Sequence, residues 1–263
     1  MAEPIPNLKF AANLSTMFQD LPFCQRFEAA RKKGFKAVEA QFLYDYDVSA
    51  LRNAKMSSGL EMVLINSPVG DMDTFGLASV PGQEVSFITS IQQATVYAVA
   101  TDCKKVHIMA GIKQANDHED DIYKIYVNNL RVGVEMLEEY NISAVIEPIC
   151  PEVKENYFLD SFAKALKVIA EINSPNLELL LDFYHMHMMG LTPDVGIPLC
   201  INTTGHVQIS QAPNRIEPFA PGPIDYDITL ELLQTYKYKG YIGLEYKPSD
   251  PVKGFDWLHL YGF

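Results

Sequence analysis

The sequence predicts a single (β/α)8 barrel of the TIM type, one domain over residues 1–263. Three observations carry that expectation. Short runs rich in aliphatic and β-branched residues recur about every thirty residues, with amphipathic segments between them, which is the pattern of successive βα units. Eight such runs can be counted in 263 residues, a length that suits one closed barrel. No Pro/Gly/Ser-rich linker or shift in composition divides the chain.

Taken in order, the first run is LKFAANL from Leu8. A helix follows, with Phe23, Phe27 and Ala30 at helical spacing after Asp20 as its expected cap. The second and third runs are KAVEAQF from Lys36 and LEMVLINSP from Leu60; the fourth is KKVHIMAG from Lys104 and the fifth ISAVIEPI from Ile142. After the fifth, Phe162, Leu166, Ile169 and Ala170 repeat as a helix behind Asp160. The sixth run is LELLLDFYH from Leu177, the seventh HVQIS from His206, and the eighth YIGLEYKP from Tyr241. Residues Asp225 to Lys239 predict the last long helix, and DWLHLYGF a short closing one. Gly34, Gly59 and Gly240 each fall between a helix and the next strand, where a left-handed C-cap is expected. An open doubly wound sheet is the alternative, but it would place a Gly-rich phosphate turn after the first strand, and that position reads AANLSTMF.

Composition limits the partners. A net charge of −12 and no Lys/Arg patch argue against a nucleic-acid surface, and no 18-residue apolar stretch predicts a membrane span. A small molecule is the expected ligand. The start, MAEPIPNLKF, lacks a basic segment followed by an apolar core, so no secretory signal is read and a cytoplasmic protein is expected. Cys24, Cys103, Cys150 and Cys200 stand singly, without metal or redox spacing; Cys150, just beyond a polar strand end, is read as a small buried hydrophobe rather than a nucleophile. The aromatic tail of Phe255, Trp257, Tyr261 and Phe263 is expected to pack on the barrel, with a partner subunit of a homo-oligomer as the other option.

In such barrels chemistry sits at the C-terminal ends of the strands. Asn13, Glu39, Asn66, His107, Glu147, Asp182, Gln208 and Glu245 all fall at or near such an end. Glu39 and His107 are as readily internal hydrogen-bonding groups as catalytic ones. Four others are harder to explain as surface: Glu147 follows Ala144–Val145–Ile146, Asp182 follows three leucines, Gln208 lies between Val207 and Ile209, and Glu245 follows Ile242–Gly243–Leu244. Three carboxylates and an amide converging on one mouth would repel and lose hydration unless a cation joined them. An all-oxygen set favours a hard divalent ion, Mg²⁺ or Mn²⁺, over zinc.

The stretches FAANLS, VHIMAG, VIEPI, LLLDFYH, HVQISQAPNR and IGLEYKP, in this order and spacing, resemble the hydroxypyruvate isomerase family among the xylose-isomerase-like barrels. The resemblance runs from Leu8 to Pro248. It implies a metal held by Glu147, Asp182, Gln208 and Glu245, with Glu147 and Glu245 as the proton donor and acceptor pair. It also implies that His185 and Arg215 contact a small hydroxy-keto acid, that hydroxypyruvate and 2-hydroxy-3-oxopropanoate interconvert, and that no organic cofactor is needed. The loop RIEPFAPGPIDY departs from the family pattern: it keeps Arg215 and Glu217, is a residue longer and carries Pro223 in place of an acid. A related metal-dependent sugar or keto-acid isomerase or epimerase is therefore carried as an alternative, as is a non-catalytic metabolite-binding barrel. An endonuclease-type barrel would need a His-rich metal cluster and a basic face, which six histidines and this charge oppose.

Overall fold

Eight parallel strands pair in chain order, and β8 (Tyr241–Leu244) hydrogen-bonds back to β1 (Lys9–Asn13), closing a barrel. The computed structural model describes residues 8–71 and 73–263; most of the MAEPIPNLKF stretch lies outside them. Between β1 and β8 run β2 (Ala37–Ala40), β3 (Glu61–Asn66), β4 (Lys105–His107), β5 (Ser143–Ile146), β6 (Leu177–Asp182) and β7 (Thr204–Ile209). The helices outside them are α1 (Phe23–Lys33), α2 (Val48–Ser58), α3 (Glu84–Thr101), α4 (Glu119–Glu138), α5 (Phe162–Ile172), α6 (Phe183–Met188), α7 (Pro193–Cys200) and α8 (Tyr226–Thr235). No described helix is long and apolar enough to cross a membrane.

The strands are short and buried on both faces, because helices cover the outside and other strands' side chains fill the inside. Inside, Ala11, Ala37 and Val63 pack with Tyr241, and Leu64, Val145 and Leu180 form a second cluster. Two-residue alternation carries the inward face onward: Val145 to Glu147, Leu180 to Asp182, His206 to Gln208, Gly243 to Glu245. Polar groups thus follow apolar ones along the same inner wall.

Several local expectations need correction. α1 begins after Pro22 without a side-chain cap, and Asp20 lies in the preceding turn. At α5 the cap is Ser161, whose Oγ accepts from Lys164 N at 3.3 Å. Asp160 instead pairs with Lys164 at 2.8 Å and Lys113 at 3.2 Å. The buried face of α5 is Phe162, Ala165, Val168, Ile169 and Ile172; Ala170 is exposed. Gly34 and Gly59 are left-handed C-caps, at φ 106° and 68°. Gly240 is not, because α8 stops at Thr235 and Lys237 takes the positive φ. The closing segment is a 3₁₀ helix over Lys253–Tyr261, whose Trp257 meets Phe10 edge-on at 5.3 Å, while Phe263 stays exposed.

These caps give a first test. Ser161→Ala is expected to lower stability by about 1 kcal/mol, the usual worth of an N-cap. Asp160→Ala should cost less, since its half-exposed ion pairs are weakened by solvent. Urea denaturation midpoints read both; equal losses would assign the cap wrongly.

Candidate metal and active site

Glu147 lies one residue beyond β5, Asp182 ends β6, Gln208 sits in β7 and Glu245 lies one residue beyond β8. All four are buried, at 6, 1, 3 and 7 % exposure. Two sub-arrangements emerge. One oxygen each of Glu147 and Asp182 and a nitrogen of His185 lie within 4.8 Å of one another, a group able to hold a metal ion. The guanidinium of Arg215 meanwhile bridges Asp182 Oδ2 and Glu245 Oε2, the latter at 2.6 Å. Arg215 is therefore the counter-charge of two site acids, while the Glu217 carboxylate accepts from Ser249 N at 2.9 Å.

Two oxygens of the expected ligand set stand out. Glu147 Oε1 and Gln208 Oε1 are buried without a hydrogen-bond donor among the described residues. A buried acceptor without a partner costs free energy, and a cation supplies what such an oxygen lacks, so the donor set fits a hard divalent ion.

The electrostatics run the same way. Burial, with Glu245 and Asp182 adding repulsion, raises Glu147 well above the ordinary carboxylate range. Burial also pushes Glu245 up to about 7, against the pull of Arg215, and raises Asp182 despite Arg215 and the backbone N–H groups of Tyr184 and His185. Desolvation opposes the Arg215 charge, yet Glu245, Asp182 and Glu147 outweigh it and raise its pKa. Burial lowers both site histidines, His107 to about 3 and His185 well below its usual value, so both are neutral near pH 7.

The tautomer of His185 follows from one contact. Cys150 N–H donates to His185 Nδ1 at 3.1 Å, so the proton of the neutral ring is on Nε2. That Nε2 lies 3.8 Å from Glu147 Oε1 and 3.7 Å from Asp182 Oδ2. His185 therefore offers a donor to the site, which suits an oxygen of a bound molecule better than a cation. The Cys150 thiol, raised to about 11 mainly by burial, stays protonated, as a buried small residue should.

Two contributors escape a reading of the sequence alone. Gln41 donates from Nε2 to Glu245 Oε1 at 2.6 Å, holding the carboxylate on the side away from Arg215. Its position two residues after Glu39 was the available signal, because alternate residues share a face. Tyr184 lies under the Arg215 guanidinium, 4.5 Å from ring centroid to Cζ, and limits where that group can swing. No periodicity announces that contact. Asn66 ends β3 and is buried; His107 Nδ1 is 3.5 Å from Glu147 Oε2, and neither of its ring nitrogens has a hydrogen-bond partner among the described residues.

Comparison with known proteins adds to this geometry. The profile of the xylose isomerase-like TIM barrel matches residues 27–260. The chain belongs to that family. Within the xylose isomerase-like barrels, it is 38% identical to the putative hydroxypyruvate isomerase of Danio rerio, over 97% of this chain and 95% of that one. It is 36% identical to the 2-oxo-tetronate isomerase of Haemophilus influenzae, covering 96% and 99% of the two chains. A crystal structure from Brucella melitensis, described as an AP endonuclease of family 2, superposes with a TM-score of 0.93 at 32% identity, over 98% of this chain and 99% of that one.

Proposed function

We propose that this chain is a hydroxypyruvate isomerase, interconverting hydroxypyruvate and 2-hydroxy-3-oxopropanoate with a divalent metal ion, Mg²⁺ or Mn²⁺, held by Glu147, Asp182, Gln208 and Glu245. The observation that carries the reading is geometric: Glu147, Asp182, Gln208 and Glu245 are buried together at the barrel mouth, and Glu147 Oε1 and Gln208 Oε1 have no hydrogen-bond donor among the described residues. Full-length similarity to proteins named for isomerisation of small hydroxy-keto acids supports it.

The reaction moves a carbonyl between adjacent carbons. A proton leaves the hydroxymethyl carbon, the charge spreads over an enediolate, the hydroxyl proton passes from its own oxygen to the former carbonyl oxygen, and a proton returns to the former carbonyl carbon. A bound divalent ion supplies Lewis-acid stabilisation of the negative charge on the two oxygens. Glu147, just beyond β5, and Glu245, just beyond β8, take and return the carbon-bound protons. A metal-bound carboxylate is a weaker base, so proton transfer would fall to whichever of the pair the ion held less tightly. His185 donates from Nε2 to a substrate oxygen, its tautomer kept by Cys150 N–H. Arg215, which bridges two of the acids that would hold the ion, grips the substrate carboxylate through its fork of N–H groups.

The test is isomerisation of hydroxypyruvate by purified protein, stripped with chelator and then given Mg²⁺ or Mn²⁺, with 2-oxo-tetronate run in parallel. Activity lost on stripping and restored by either ion is the expected result. Turnover of 2-oxo-tetronate alone would transfer the assignment to that substrate. Metal binding without turnover of either would remove the function proposed. An endonuclease reading, prompted by the Brucella structure's description, has a net charge of −12 against it, since a phosphate backbone needs a basic face.

A further inference from the structure

Four buried polar side chains from β1, β2 and β7 meet inside the barrel: Asn13, Glu39, His206 and Gln208. Glu39 is their common acceptor. Its Oε1 accepts from Asn13 Nδ2 at 2.9 Å and from Gln208 Nε2 at 2.8 Å, and its Oε2 lies 2.6 Å from His206 Nε2. A carboxylate has no proton to offer, so the Gln208 amide must turn its NH₂ toward it. The amide oxygen then faces the other way, and this is the Gln208 Oε1 that has no donor. Turning the amide over would set oxygen against oxygen and leave its NH₂ without that acceptor.

The neighbouring strand is shaped to admit this carboxylate. A Cβ on Gly243 of β8 would fall 2.1 Å from Glu39 Oε2, far inside van der Waals contact. Gly243 carries no positive φ, so the absence of a side chain there makes room for Glu39 and is not demanded by the backbone. The HVQIS strand thus places His206 to hold Glu39, and Glu39 to orient Gln208 two residues on.

We infer that Glu39 is a positioning residue: it locks the Gln208 amide so that Oε1 is presented as a cation ligand. The inference rests on the metal site proposed above. Groups that orient metal ligands affect affinity through geometry, without touching the ion.

The test reads Mn²⁺ binding directly, from the free-ion signal in electron paramagnetic resonance, with circular dichroism and a melting curve as folding controls. Glu39→Met removes the acceptor at similar size and is expected to weaken Mn²⁺ binding by about ten- to a hundredfold. Glu39→Gln keeps an acceptor oxygen without the charge and is expected to recover most of that affinity. Gly243→Ala leaves every polar group in place but displaces the carboxylate, so it too should weaken binding by about tenfold or more, and it carries the test if Glu39→Met does not fold. Affinities within about twofold of wild type for folded Glu39→Met or Gly243→Ala would overturn the positioning role, as would a Glu39→Gln as weak as Glu39→Met, which would assign the effect to charge. Failure of the wild type itself to bind Mn²⁺ would be read separately: it removes the metal site, and the inference with it.

Discussion

Glu147→Gln and Glu245→Gln are each expected to lower kcat for hydroxypyruvate by roughly a thousandfold, within the range that a positioned acid or base contributes. The substitution keeps shape and removes the ability to take or release a proton. Both acids sit at 6–7 % exposure in a site that raises their pKa, mainly through burial. Glutamine also retains an oxygen able to face a cation, so metal binding should fall much less than turnover. Steady-state kinetics at saturating Mn²⁺, with Mn²⁺ affinity measured on the same variants, separates the two effects. Either variant retaining about a tenth of wild-type kcat, well short of the roughly hundred- to ten-thousandfold that a positioned acid or base contributes, would take that residue out of proton transfer. Loss of Mn²⁺ binding equal to the loss of turnover would make it a ligand only.

Arg215→Met is the second large effect, and its size depends on the metal. Arg215 is the cation between Asp182 and Glu245, both nearly inaccessible to water, while its own side chain is 25 % exposed. Removing one partner of such a buried arrangement leaves charge without compensation and is expected to cost about 3 kcal/mol of stability. A bound divalent ion would neutralise the same acids, so saturating Mn²⁺ should raise the urea midpoint of Arg215→Met more than that of wild type. The KM for hydroxypyruvate should rise even in the metal-loaded variant, because methionine cannot hold a carboxylate. An identical stability loss with and without Mn²⁺ would reduce Arg215 to a structural ion pair and overturn the exchange between guanidinium and cation.

Strand order and the depth of the polar residues were legible in the chain. Runs such as ISAVIEPI and LELLLDFYH declare buried parallel strands by their unbroken apolar stretches, and the polar residue at the end of each is conspicuous against them. Boundaries were less legible. Asp160 and Ser161 are adjacent and both can cap; the choice fell to Ser161 because Lys113 and Lys164 hold the Asp160 carboxylate elsewhere. Gly240 had the right residue type and place, but α8 had already ended through Lys237.

The candidate site divides in the same way. Glu147, Asp182, Gln208 and Glu245 could be picked out one by one, because a two-residue period aligns each with apolar neighbours on an inward face. Their partners could not. Gln41 and Glu245 are 204 residues apart, and Glu39 and Gln208 are 169 apart. The sequence by itself determined a parallel barrel with acids at its mouth, since periodicity and burial are local properties that each segment records alone. Only the tertiary structure decided that Arg215 bridges two of those acids, that Cys150 sets the tautomer of His185, and that Gly243 leaves room for Glu39. Closure of the barrel brings such residues together from distant strands, and no local pattern encodes which of them will meet.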